Sequence, residues 1–242
     1  MPTVREQLTA LLSEMHTLAG WQALDTSTVT AAWSHYEESK STAAQSGSVA
    51  YVSHAAGEQS VVLIEAGQTA DAVAVLDYAR REAELTAPAV LRSWLAAAHG
   101  EALAADGRRS ESLAAFDRAA DLLPSVDEAD ERPYVALDAV HLARWRGHAL
   151  ARVGDPEAVA VLSEALGRLD PSFVRAETSL RIDLATALEA SGEREEARRH
   201  AERAEALATQ LGSARHGRRA RALLFDSPAN RDYVGLGGCA AG

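Results

Sequence analysis

The sequence predicts an all-α protein, a right-handed superhelical array of about five helical hairpins closed by a short capping helix. Three observations carry that expectation. The stretch Ser93 to Pro124, SWLAAAHGEALAADGRRSESLAAFDRAADLLP, reads as two helices of equal length hinged at Asp106-Gly107 and stopped by a proline. Other segments repeat this design at a spacing near 40 residues. Hydrophobic residues make up 47% of the chain but aromatics only 5%, so the core must be built from Ala, Leu and Val, which suits closely packed helices better than a sheet.

Taken in order, Val4 to Leu24 places Leu8, Leu11, Leu12, Met15, Leu18 and Ala19 on one stripe, expected to face inward. The second helix, about Thr28 to Ser46, turns Val29, Ala32, Trp33, Tyr36 and Ala43 inward, with Gly47 as its cap. Val49 to Ala66 and Thr69 to Leu85 form the next pair around Gly67, with Thr69 as the N-cap and Pro88 opening the third pair. After Pro124 the acidic connection SVDEADERP has no apolar period and reads as an exposed loop. The fourth pair runs from Pro133 to Arg168 around Gly154, and the fifth from Pro171 to Leu211 around Gly192. Asp155-Pro156 and Asp170-Pro171 each set a capping carboxylate before a first-turn proline. A last amphipathic helix, Ala214 to Phe225, is expected to cover the end of the stack. Residues 1–225 therefore read as one repeat domain and 226–242 as a flexible, Gly-rich tail.

Composition narrows the function. The formal net charge of −11 repels phosphate backbones, so direct nucleic-acid binding is not expected. No apolar run reaches 18 residues and no secretory signal opens the chain, so a cytoplasmic protein without a membrane segment is expected. The lone cysteine, Cys239, lies in the tail and can form no internal disulfide. There is no His-Glu-x-x-His pair, no Gly-rich phosphate loop and no nucleophile elbow, so neither catalysis, a metal nor a cofactor is expected.

Aligned on their breaks, the hairpins share a register that resembles the tetratricopeptide repeat (TPR) family. In the third hairpin Gly100, Phe116, Ala119 and Pro124 stand at the family's small, aromatic, small and terminal-proline positions. Gly20, Ala32 and Tyr36 match in the first. Equivalent small positions are Ser60, Ala72 and Ala79, then Gly147, Ala158 and Ala165, then Ala185, Ala197 and Ala204. The first positions lie 40, 40, 47 and 38 residues apart, against about 34 for the standard repeat. The segment MHTLAGWQALDTSTVTAAWSHYEES also resembles the C-terminal repeat region of actinobacterial Xre-type helix-turn-helix regulators. That resemblance implies a sensor half or a free-standing relative without the DNA-binding head, with a role in transcriptional regulation.

In such arrays the first helices of the hairpins line the concave groove, and candidate contacts are sought there. His141, Arg144, His148 and Arg152 follow i, i+3, i+7, i+11 along one face, a stripe for an anionic ligand, a peptide carboxylate or an acidic helix, or else a polar inter-repeat face. Trp21, His54, Trp94 and Glu101 occupy neighbouring groove positions, with Trp94 either a binding surface or a packing residue, while Trp33 and Trp145 read as core. Asn230 is the only asparagine, so the asparagine ladder of peptide-sensing relatives is missing. Arg215, His216, Arg218, Arg219 and Arg221 form a basic cluster, read as a solvated face of the capping helix in preference to a contact for an acidic partner, the acidic loop of a second copy or nucleic acid. The expected partner is a protein or peptide, with a small ligand also open; the rival reading is a free-standing scaffold that self-associates through its Ala-rich end repeats and the basic terminal helix.

Overall fold

The computed structural model describes residues 2–124, 133, 135 and 137–225. The acidic connection after Pro124 and the expected tail lie outside those residues, apart from Pro133. Eleven α-helices and no strand occur among the described residues: α1 (Val4–Asp25), α2 (Val29–Gln45), α3 (Val49–Glu65), α4 (Thr69–Ala83), α5 (Ala89–Ala105), α6 (Arg109–Leu122), α7 (Ala139–Arg152), α8 (Glu157–Arg168), α9 (Val174–Ala190), α10 (Arg194–Leu211) and α11 (Ala214–Phe225). Consecutive helices pack as five hairpins. The first helices of successive hairpins also touch one another, α1 to α3, α3 to α5, α5 to α7 and α7 to α9, and so build a continuous wall. Helix α11 packs on α9 and α10 as the next member of that wall, and it also reaches α1.

Close approach within each hairpin depends on small residues. A Cβ added at Gly20 would stand 3.0 Å from the Tyr36 ring, at Gly100 2.8 Å from the Phe116 ring and at Gly147 2.5 Å from Leu162. These contacts leave no room for a methyl group, so the small positions read from the repeat register are packing positions. Small hydroxyls serve the same end. Ser93 donates to the Ala119 carbonyl and Ser112 to that of Gly100, each at 2.7 Å, which satisfies buried hydroxyls while the backbones stay close. Each turn from first to second helix passes through a left-handed residue; it is Gly107 (φ 77) in the third hairpin but Ser27 (φ 72) in the first, the one non-glycine in that region among the described residues.

Several expected details differ. Helix α7 begins at Ala139 rather than Pro133, because Asp138 caps it by accepting from the His141 backbone N–H at 2.7 Å. Helix α9 begins at Val174 rather than Pro171, and Asp170 caps the Ser172 N–H ahead of it. Thr69 makes no cap; its hydroxyl donates to Asp106 at 2.7 Å and ties the second hairpin to the third. Val29 and Trp33 are exposed, whereas Ala32, Tyr36 and Ala43 are fully buried.

The largest departure is α1. Its leucine stripe faces solvent, with Leu8, Leu11, Leu12, Met15 and Leu18 between 41% and 66% exposed. Ala10, Ser13, Thr17, Gly20 and Leu24 are buried in their place. The face that meets α2 is selected by shape and hydrogen bonding: Tyr36 fits over Gly20, and Ser39 bonds the Ser13 hydroxyl at 3.1 Å and the Thr17 hydroxyl at 2.8 Å. By contrast α5, flanked by α3, α4, α6 and α7, is buried nearly all round.

Candidate functional site

The wall of first helices curls until its two ends meet, and the meeting point is polar. Asp25, the last residue of α1, is buried. Its carboxylate accepts a hydrogen bond from the Ser213 hydroxyl at 2.6 Å, pairs with Arg175 from the first turn of α9, and stands 3.5 Å from the His216 ring. Ser213 also accepts from the His216 backbone N–H at 3.3 Å, which makes it the N-cap of α11. One serine therefore both starts the last helix and fastens it to the end of the first. Arg175 lies over the Trp21 ring, 4.7 Å from its centroid. Arg215 pairs with Glu65 at the end of α3, and Arg218 donates to Ser27. These cations gather at the C-terminal ends of α1 and α3, where helix dipoles favour positive charge.

A second cluster lies farther along the wall around Asp183 of α9, which is 2% exposed. Its carboxylate is 2.8 Å from the His148 ring and 2.7 Å from the Arg219 guanidinium. Burial pushes the carboxyl up, but His148 and Arg219 outweigh it and hold the group well below the usual carboxylate range. Arg144 faces the charges of Glu101, Asp183 and Asp138; burial lowers its pKa from the ordinary value, and its buried Nε has no hydrogen-bond partner among the described residues. Burial presses His216 down to about 4, so it is neutral where the clasp at Asp25 is formed. Glu65 and Asp183 thus present acidic side chains to Arg215 and Arg219 of α11, and Asp25 to its N-cap Ser213.

The eight residues singled out in the sequence divide accordingly. Arg144 and His148 belong to the Asp183 cluster, with Glu101 adding charge from α5. Arg152 is exposed at the end of α7, 3.5 Å from His148. His141 packs in a T-shape on Phe173, ring centroids 5.0 Å apart, and bonds Asp138 at 2.9 Å, so it serves the start of its helix. Trp21 joins the clasp through Arg175. Trp94 and His54 are core residues, each 6% exposed and stacked edge to face at 5.2 Å, with Trp145 on the other side of Trp94 at 6.1 Å. Gly57 admits the Trp94 ring, to which an added Cβ would come within 2.6 Å. Burial lowers His54 to about 4 and raises its neighbour Glu58 to about 7, so between those values both are neutral and their 3.6 Å contact is no ion pair.

Sequence reasoning missed Asp25, Glu65, Asp183, Arg175 and Ser213, because each lies far along the chain from its partner. The one available signal was the basic cluster Arg215 to Arg221. Arg215 and Arg219 are paired within the chain, to Glu65 and Asp183, and Arg221 stands 3.7 Å from Glu205.

No protein-family model matches the chain, and no curated protein matches it. Among solved structures it is similar to the nearly identical TPR-like repeats of a Podospora anserina protein described as a kinesin light chain, at 18% identity and a TM-score of 0.51, covering 86% of this chain and 98% of that one. A point variant of the same fungal protein gives 18% identity and a TM-score of 0.52, covering 84% and 97%. At such identities the likeness speaks to the fold, and with the hairpins and their small-residue contacts it shows that this chain is a TPR-like helical repeat array.

Proposed function

We propose that the chain is a non-catalytic, regulatory protein-interaction module whose inner wall takes a basic helical segment of a partner protein. One observation carries this reading: Glu65 and Asp183 of the wall already pair with Arg215 and Arg219 of helix α11, while Asp25 holds its N-cap Ser213. A partner with arginines at the same i, i+4 spacing would meet the same charges. The likeness to Xre-type regulators extends the proposal to transcription in the cytoplasm, with any DNA contact made outside these acidic repeats.

A labelled peptide of sequence 212–225 tests it. Binding is expected to be at least tenfold tighter to Arg215→Ala/Arg219→Ala, whose own helix is loosened, than to the unaltered chain, and to be lost on adding Asp183→Asn. Absence of binding to all three overturns the proposal. A second reading, a small anionic ligand, rests on Arg144 and its unpartnered Nε. Isothermal titration of anions such as citrate against the chain and Arg144→Ala/Arg152→Ala tests it; equal affinities remove both arginines from the site.

A further inference from the structure

We propose that His16 of α1 and His35 of α2 form a site for one divalent transition-metal ion, bound through the Nδ1 atoms of both rings. Of the eight histidines, these two alone make a ring-to-ring pair. Their Nδ1 atoms stand 3.5 Å apart, with ring centroids at 5.8 Å and planes tilted by 38°. The two lie 19 residues apart in the chain, so no ligand spacing within a single helix announces them.

The separation distinguishes two kinds of contact. A hydrogen bond from an N–H donor is usually about 2.7 to 3.2 Å long, and here it would need one ring to carry its proton on Nδ1. Two nitrogens that each bind one ion at about 2.0 to 2.1 Å, at a tetrahedral angle, lie about 3.3 to 3.4 Å from each other. The observed distance is closer to the second, and a small turn of each ring about its Cβ–Cγ bond aims both lone pairs at a common ion. Neither ring has another hydrogen-bond partner among the described residues, so each Nε2 is free to carry the proton and leave Nδ1 to ligate. The backbone under the pair is fixed. Tyr36, next to His35, packs on Gly20, one turn on from His16, and Ser39 bonds the hydroxyls of Ser13 and Thr17. Both imidazoles are therefore presented from packed helices, which reduces the ordering that binding requires. Both rings are half-buried, so an ion reaches them from solvent. No third His, Cys, Asp or Glu completes a group with them among the described residues, which leaves the remaining coordination positions to water. Such a site is exchangeable, unlike a structural zinc with four protein ligands. Imidazole nitrogens favour Cu²⁺ over Zn²⁺, and either over Mg²⁺. The net charge of −11 favours a cation, and the bound ion ties α1 to α2.

The pair shares no residue with the inner-wall clusters, so its test is independent of that reading. In a Cys239→Ser background, isothermal titration of the full chain with copper or zinc chloride is expected to show one ion per chain, held more tightly for Cu²⁺, and magnesium chloride is expected to show none. His16→Gln and His35→Gln each weaken binding at least tenfold while keeping the helical circular dichroism and the metal-free thermal midpoint. Zinc raises the thermal midpoint of the parent chain but not that of either variant. Electron paramagnetic resonance of the Cu²⁺ form shows coupling to two nitrogens, reduced to one in each variant. Absence of binding at about 100 μM metal, or an ion that keeps its affinity in His16→Gln/His35→Gln, overturns the proposal. Coupling to fewer than two nitrogens in the parent chain overturns it as well.

Discussion

Helix α11 closes one end of the described array with Ala220 and Leu223 turned to its neighbours and Arg218 and Arg221 outward, whereas α1 opens the other with its leucines bare. Each helix carries apolar residues at helical spacing, so the difference lies in which face the repeat register assigns to the stack. In α11 the apolar face and the stacking face coincide. In α1 they do not, because Gly20, Thr17 and Ser13 supply the close fit to Tyr36 and Ser39 that α2 requires. Amphipathicity alone therefore fails to predict orientation in an array whose helices meet through small residues. The buried side chain that fits wins over the larger one that would merely be shielded.

The sharpest way to break the contrast is to unfasten the end that is closed. Asp25→Ala removes the acceptor of Ser213 and the partner of Arg175, leaving a partly buried guanidinium unpaired. A loss of about 3 kcal/mol is expected in urea denaturation, with amide exchange in α11 rising before that of α5. A smaller effect follows from pH. The folded His216 pKa, about 4, is depressed below its ordinary 6.5, so its contribution is fully present above pH 6.5 and is lost as pH falls toward 4. Roughly 1 kcal/mol should be gone by pH 5.5, read as a falling denaturation midpoint, and His216→Phe should flatten that part of the profile. The smallest effect is expected at the open end. Leu12→Ala should change the stability of the dilute chain by less than about 0.5 kcal/mol, whereas Leu150→Ala, fully buried in α7, should cost about 3 kcal/mol. Equal costs would mean that α1 is covered even in the dilute chain.

Much of the architecture was legible because it is written in local pattern. The breaks at Gly67, Gly107, Gly154 and Gly192 all fall at left-handed turns, and Ala214 to Phe225 forms the last helix at the expected bounds. Starts marked by proline were less secure: Pro133 and Pro171 both precede their helices by several residues, since a proline permits a first turn without requiring one. The candidate site was legible only in part. The i, i+4 relation of Arg144 and His148 placed both beside Asp183, but Trp94 and His54 stood at groove positions that the next helix covers. Gly57 was the clue to that burial, since a glycine inside a helix makes room for something large, here the Trp94 ring.

What the sequence determined by itself was the number of helices, their hinges and the small positions at which they touch, because these follow from residues within a turn or two of one another. Tertiary structure alone decided which side of α1 is buried and how the ends join. Asp25 meets Ser213 across 188 residues and Asp183 meets Arg219 across 36. The second pairing needs only the packing of α11 on α9, but the first depends on the accumulated curvature of the whole stack, a sum of small rotations at every hairpin that no local spacing records.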